Sequence, residues 1–313
     1  MRRATQCLAT LFLISASHFA FAQCKVARQT TVPLTLDHNR AIVPMAINET
    51  PGQFEVDTGS SVTVLSKDYA RISHVGIDGH AGQYVMTGAG NKESLPAFNV
   101  HARHIQFGDI PFYDWEFAAT DGDIPSPIAV SGLLGRDFMH YFDIEMDFQA
   151  GKLTVWRLFN CKDVHPFWTG DYDTIPMKKL HDNELTVPIW IDNTFLDVMF
   201  DTGAGGLMLT HDAANRAGAT DAQLAHDTQT NGLGLGGQFT AAHHKFGTLL
   251  VGSAIFNAPN IRVDPTNTSA SGIHAYGGAD GLMGLGLLHA DRIWVSFTTG
   301  TLFVQAAPKT AAK

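Results

Sequence analysis

Apolar residues along this chain fall in short runs bounded by turn formers. Phe54-Glu55-Val56 and Val198-Met199-Phe200 are β-prone triplets, each followed by Asp-Thr-Gly. Runs of this kind recur at close intervals, with Gly, Pro, Asn and Asp between them. Helical periodicity is scarce, and Asp212 to Ala217 is one short helix candidate. The pattern predicts an all-β chain.

The pattern also repeats. The first half carries Val32-Pro33, then Ala41 to Asn48, then Phe54-Glu55-Val56-Asp57-Thr58-Gly59. The second carries Ile175-Pro176, then Leu185 to Asp192, then Val198-Met199-Phe200-Asp201-Thr202-Gly203. Downstream, Ser60 to Ser66 matches Ala204 to Thr210, and glycine-bearing segments follow at Tyr84 to Asn91 and Asn231 to Phe239. Gly132-Leu133-Leu134-Gly135 then matches Gly281-Leu282-Met283-Gly284, and each half closes on an aromatic, β-rich run. A duplicated β unit predicts two lobes. The division expected is residues 23–157 and 174–313, joined by a linker over 158–173 that contains Cys161, Pro166 and Gly170.

Composition adds compartment and excludes some partners. The 313 residues are 45% hydrophobic and 16% charged, enough for a substantial core. The formal net charge is −9 and no Lys/Arg run stands out, so nucleic acid is not an expected partner. Arg2 and Arg3, the apolar stretch Leu8 to Ile14 and Ala20-Phe21-Ala22 read as a signal peptide over residues 1–22. Cleavage there leaves Gln23 first, in a periplasmic or extracellular protein with no stable membrane insertion after signal removal. Cys7 leaves with the signal. Cys24 and Cys161 remain and are expected to pair in an oxidising compartment, the alternative being two free buried thiols.

The chemistry rests on the doubled Asp-Thr-Gly. One copy is a weak signal, because a turn Asp usually caps its own backbone. Two copies at equivalent places in facing lobes bring Asp57 and Asp201 together on the pseudo-symmetry axis. Paired carboxyls share one proton and can hold a water between them. The ionised member takes a proton from that water as it attacks a peptide carbonyl, and the protonated member hydrogen-bonds the carbonyl oxygen. That route calls for no metal and no cofactor.

These segments resemble the two active-site motifs of the aspartic protease superfamily, and Gly132-Leu133-Leu134-Gly135-Arg136-Asp137 resembles the late element of retropepsin-like lobes. Gly281 to Gly284 looks like its counterpart, with Leu285-Gly286 in place of Arg-Asp. The resemblance implies a bilobal fold of two pseudo-symmetric β-barrel-like lobes with the active site between them. It also implies an endopeptidase with a peptide or protein substrate, acting as a monomer that carries both lobes.

Carried over residue by residue, the resemblance makes Asp57 and Asp201 the catalytic dyad. Thr58 and Thr202 become interlocking hydroxyls beneath it, and Gly59 and Gly203 backbone donors to the carboxylates. Ser60 becomes a hydroxyl donor to its Asp, which Ala204 cannot be. The missing donor predicts a less acidic working range than that of a gastric-type enzyme. Flap candidates are Tyr84, Gly88 and Gly90 in the first lobe and Gly232, Gly234 and Gly236 in the second. A non-catalytic peptide-binding protein on the same scaffold is the alternative.

Two other features have plainer readings. The fifteen histidines include His243-His244 and His101 with His104, but adjacent strand residues point to opposite faces and no metal-ligand spacing appears. Gly232 to Gly237 lacks the Lys-Ser/Thr of a phosphate loop.

Overall fold

The computed structural model describes residues 23–77, 84–86, 95–124, 126–234, 237–264 and 278–306. Strands dominate, as the short apolar runs predict, and they form three sheets. One nine-stranded sheet belongs to the first half and one ten-stranded sheet to the second.

The third sheet joins the halves. Its six strands run in the order Lys25–Pro33, Lys152–Phe159, Asp143–Asp147, Ala290–Ser296, Thr301–Ala306, Asp173–Pro176. The seam is antiparallel pairing of Asp143–Asp147 with Ala290–Ser296, from Ile144 opposite Val295 to Asp147 opposite Arg292. Strand Lys152–Phe159 therefore runs two residues into the segment expected as a linker, and Asp173–Pro176 begins inside its last residue. The Cys24–Cys161 disulfide clamps the outer edge of this sheet, where Lys25 pairs with Phe159.

The duplication is visible in the pairing. In the first half, Thr50–Val56 lies antiparallel to Arg40–Ile47 and parallel to Gly132–Leu134, which pairs with Val64–Leu65. In the second half, Thr194–Phe200, Leu185–Ile191, Gly281–Met283 and Leu207–Thr210 repeat those relations. In the first half the pairings close into a circuit, because Arg40–Ile47 also pairs with Leu95–Phe107. In the second half they form an open path among the described residues.

Side-chain alternation sets the two faces. Phe54 and Val56, and likewise Val198 and Phe200, are fully buried in the main core. Glu55 and Met199, between them, face the other side, as do Asp57 and Asp201 two residues on.

Two equivalent short helices follow. Ser66 caps Lys67–Ile72 by accepting from the Tyr69 amide at 3.3 Å, and Thr210 caps His211–Arg216 by accepting from the Ala213 amide at 3.1 Å. The second is the helix expected at Asp212 to Ala217, shifted by one residue to start behind its cap.

Candidate active site

Each Asp-Thr-Gly sits where a strand ends beside the late glycine element. The Asp57 amide donates to the Leu134 carbonyl at 3.0 Å, and the Asp201 amide to the Met283 carbonyl at 3.0 Å. The two turns then face each other. A Cβ built on Gly59 would lie 2.5 Å from Cγ of Asp201, and one on Gly203 would lie 2.6 Å from Cγ of Asp57. Only a residue without a side chain lets the opposite carboxyl in, so both glycines are needed for the approach. The two carboxyls hydrogen-bond each other, so the charge of one acts directly on the other.

The threonines lock the turns from below. Thr58 Oγ1 donates to the Phe200 carbonyl at 2.7 Å and accepts from the Thr202 amide at 3.0 Å. Thr202 Oγ1 donates to the Val56 carbonyl at 2.5 Å and accepts from the Thr58 amide at 3.0 Å. Both side chains are buried, so each hydroxyl satisfies two groups that water cannot reach. Thr202→Val removes one hydroxyl and orphans the Thr58 amide and the Val56 carbonyl. It should cost about 2–4 kcal/mol, read as a lower denaturant midpoint. An unchanged midpoint would remove this lock from the account.

The surroundings of the carboxyls are unequal. Asp57 Oδ1 accepts from the amides of Gly59 at 2.9 Å and Ser60 at 3.0 Å. Asp201 Oδ1 accepts from the Gly203 amide at 2.8 Å, while the Ala204 amide goes to the backbone carbonyl of Asp201 at 3.0 Å. Burial raises both pKa values. Asp57 is pulled back by the Ser60 amide, its bond to Asp201, and the nearby Arg40 charge. Asp201 is pushed well above the ordinary carboxylate range by burial and then by the charge of Asp57. The extra amide favours the negative charge on Asp57 and the shared proton on Asp201.

Ser60 contributes differently from the expectation. Its hydroxyl donates to the Val62 carbonyl at 2.7 Å, so the one proton it has to give is used within the turn. Its backbone amide makes the bond to Asp57 instead.

Matching this geometry, a family model described as "Aspartyl protease" covers residues 43–138 and 187–287. The chain belongs to the aspartyl protease family. Its fold is shared by the aspartic proteinase from Irpex lacteus, at 14% identity and a TM-score of 0.54, over 91% of this chain and 99% of that one. A retropepsin-like aspartic protease from Rickettsia conorii aligns at 17% identity and a TM-score of 0.32, over 44% of this chain and 95% of that one. No curated protein sequence matches.

The aspartyl protease motif contains a substitution that the two halves solve between them. In the first half, buried Arg136 donates from Nη1 to the carbonyls of Thr58 at 2.7 Å and Gly59 at 2.9 Å, holding the turn. The second half has Leu285 at that place. Arg40, from the first half, supplies the missing donor: its Nη1 hydrogen-bonds the Gly203 carbonyl and also pairs with Oε1 of Glu55. Glu55 is 1% exposed, and Ser126 Oγ donates to its other oxygen at 3.1 Å. Burial raises its pKa from 4.5 to about 7 against the pull of Arg40, with the charge of Asp57 adding to the rise.

Neither Arg40 nor the pairing of Glu55 was legible as part of the site from the motifs. The usable signals were Leu285 in place of an arginine, and an acid at Glu55 where the second half has Met199.

The flap candidates are only partly placed. Tyr84–Met86 is a strand paired with Leu95–Phe107, Tyr84 lying opposite Ala97. Gly88 and Gly90 lie outside the described residues. Gly232 and Gly234 lie in strand Thr228–Gly234, which forms a hairpin with Gly237–Lys245, and Gly236 is outside the described residues. Phe239 and Ala241 of this hairpin belong to one apolar cluster with Ala204, the residue after the second Asp-Thr-Gly.

The histidines are engaged separately. His104 contacts Glu49 at 3.1 Å, His101 lies 3.6 Å from Asp114, His243 bonds Thr230 at 2.6 Å and His244 bonds Asp227 at 2.8 Å. Among the described residues no group of three or more possible metal ligands comes together.

Proposed function

We propose that this protein is an exported aspartic endopeptidase that hydrolyses peptide bonds with a water activated between Asp57 and Asp201. The observation that carries this reading is the unequal pair: two carboxyls in hydrogen-bond contact, two backbone amides on Asp57 and one on Asp201. Asp57, ionised, takes a proton from the water as it attacks the carbonyl carbon. Asp201, protonated, donates to the carbonyl oxygen as charge builds there. The tetrahedral diol collapses when the amide nitrogen takes the proton that Asp57 gained from the water and a diol hydroxyl returns its proton to Asp201, breaking the C–N bond and leaving one proton on the pair. The residues at 1–22 and the Cys24–Cys161 bridge support export.

The test is cleavage of a denatured protein across pH 2–7, with and without pepstatin, by exported chain whose first residue is Gln23. The single amide on Asp201 favours its protonated form, so activity should extend towards the upper part of that range and vanish with pepstatin. A sharp optimum near pH 2 contradicts the assignment of the proton. Pepstatin-insensitive cleavage contradicts the mechanism. Peptide binding with no turnover at any pH points to the non-catalytic alternative.

A further inference from the structure

The duplication supplies an internal control for the sheet faces that carry the two aspartates. In the first half Glu55, Leu133, Val64 and Ala118 lie in register across four strands. In the second half the equivalent row is Met199, Leu282, Met208 and Arg262. Each row begins two residues before its catalytic Asp, so alternation puts it on the face of the sheet that carries that Asp. Small apolar clusters are built on both rows, away from the main core. Val64, Leu133 and Ala118 pack with Met86 and Ala97, and Met199, Leu282 and Met208 pack with Ala204, Phe239 and Ala241.

Arg262 breaks the match. It stands where the first half has Ala118, at the end of an otherwise apolar row. Its guanidinium carbon lies 5.3 Å from the centroid of the Phe239 ring. Its Nη2 is 2.5 Å from where a Cβ on Gly232 would begin, so the hairpin makes room for the group by having no side chain there. Its Nε is buried with no hydrogen-bond acceptor, and the guanidinium forms no ion pair with a carboxylate among the described residues. A buried donor without an acceptor is costly and calls for a reason. The other charge on these rows, Glu55, is already paired with Arg40.

We propose that Arg262 is a specificity-determining residue that reads an acidic side chain of the peptide lying in the cleft, an inference that rests on the protease reading above. Beside the Phe239 ring, the two terminal nitrogens of the guanidinium carry no carboxylate among the described residues and can together make a two-point bond to one. Three strand spacings of about 4.8 Å separate the backbones of Met199 and Arg262, about 14 Å in all. An extended peptide rises about 3.3 Å per residue, so the side chain that is read lies within about four residues of the scissile bond.

The experiment compares kcat/KM on peptides that differ only in Glu, Gln or Lys at one place, scanned over four positions on each side of one cleaved bond. The wild-type chain should prefer Glu by about tenfold at one position. Arg262→Gln should reduce that ratio to about one, Arg262→Lys should keep part of it, and Arg262→Glu should turn it towards Lys. A wild type that cleaves with no position favouring Glu overturns this inference and leaves the protease reading intact. So does an Arg262→Gln enzyme that keeps the preference. A wild type that cleaves nothing under any condition overturns both.

Discussion

Asparagine at either position 57 or position 201 is expected to lower peptide cleavage by about 10³–10⁴-fold or more, to background in an ordinary assay. The reasons differ. In the proposed mechanism, Asp57→Asn removes the base that takes the proton from water. Asp201→Asn keeps a hydrogen-bond donor beside the substrate carbonyl but has no acidic proton to give to its oxygen. Both variants should fold, because an amide oxygen can still accept from Gly203 or from Gly59 and Ser60.

Stability separates the two roles further. The folded-state pKa of Asp201 is raised by burial and by Asp57, so the folded protein binds a proton that the unfolded chain gives up near its ordinary value. The stability tied to that proton is full below the unfolded pKa and is lost as pH rises through the folded one. Asp201→Asn removes this loss, so its melting temperature should exceed that of the wild type at neutral pH. The difference should shrink towards pH 4. Turnover above about 1% of wild type in either variant would refute the dyad.

Arg40→Ala should destabilise the fold by about 3–5 kcal/mol at pH 8, because it leaves Glu55 buried without its cation and the Gly203 carbonyl without its donor. The loss should be smaller at pH 5, where Glu55 takes a proton and no longer needs the cation. In the wild type, Glu55 titrates at about 7 when folded against 4.5 unfolded. Its contribution is therefore complete below 4.5 and declines as pH rises through about 7. At about 1.4 kcal/mol per pKa unit the decline is on the order of 3 kcal/mol. Glu55→Gln should flatten that slope in plots of unfolding free energy against pH. If wild type and Glu55→Gln show the same slope from pH 4.5 to 7, Glu55 does not titrate as described.

The sequence made Asp57 and Asp201 legible because the same strand, turn and glycine element occur twice, and any two-lobed arrangement of them faces one turn to the other. The threonine lock follows from the same symmetry. Arg40 was hidden because its role comes from register: it stands 17 residues before Asp57 and reaches the other half only after Ile42 aligns with Glu55. Ser60 was misread for a local reason, since the choice between a carboxylate and the Val62 carbonyl is made by the turn's own backbone. The shared six-stranded sheet was equally hidden. Its pairings join Lys25 to Phe159 and Ile144 to Val295, partners too distant in sequence for local patterns to register.

That shared sheet has a consequence for how the enzyme tolerates low concentration. An active site assembled from two separate subunits falls apart when the solution is thin enough, and each half can exchange partners. Here the halves are stitched by continuous backbone pairing between Asp143–Asp147 and Ala290–Ser296, and one polypeptide holds both. The effective concentration of one aspartate for the other is fixed by covalent linkage rather than by how much protein is present. Dilution therefore leaves each molecule's pair of acids together.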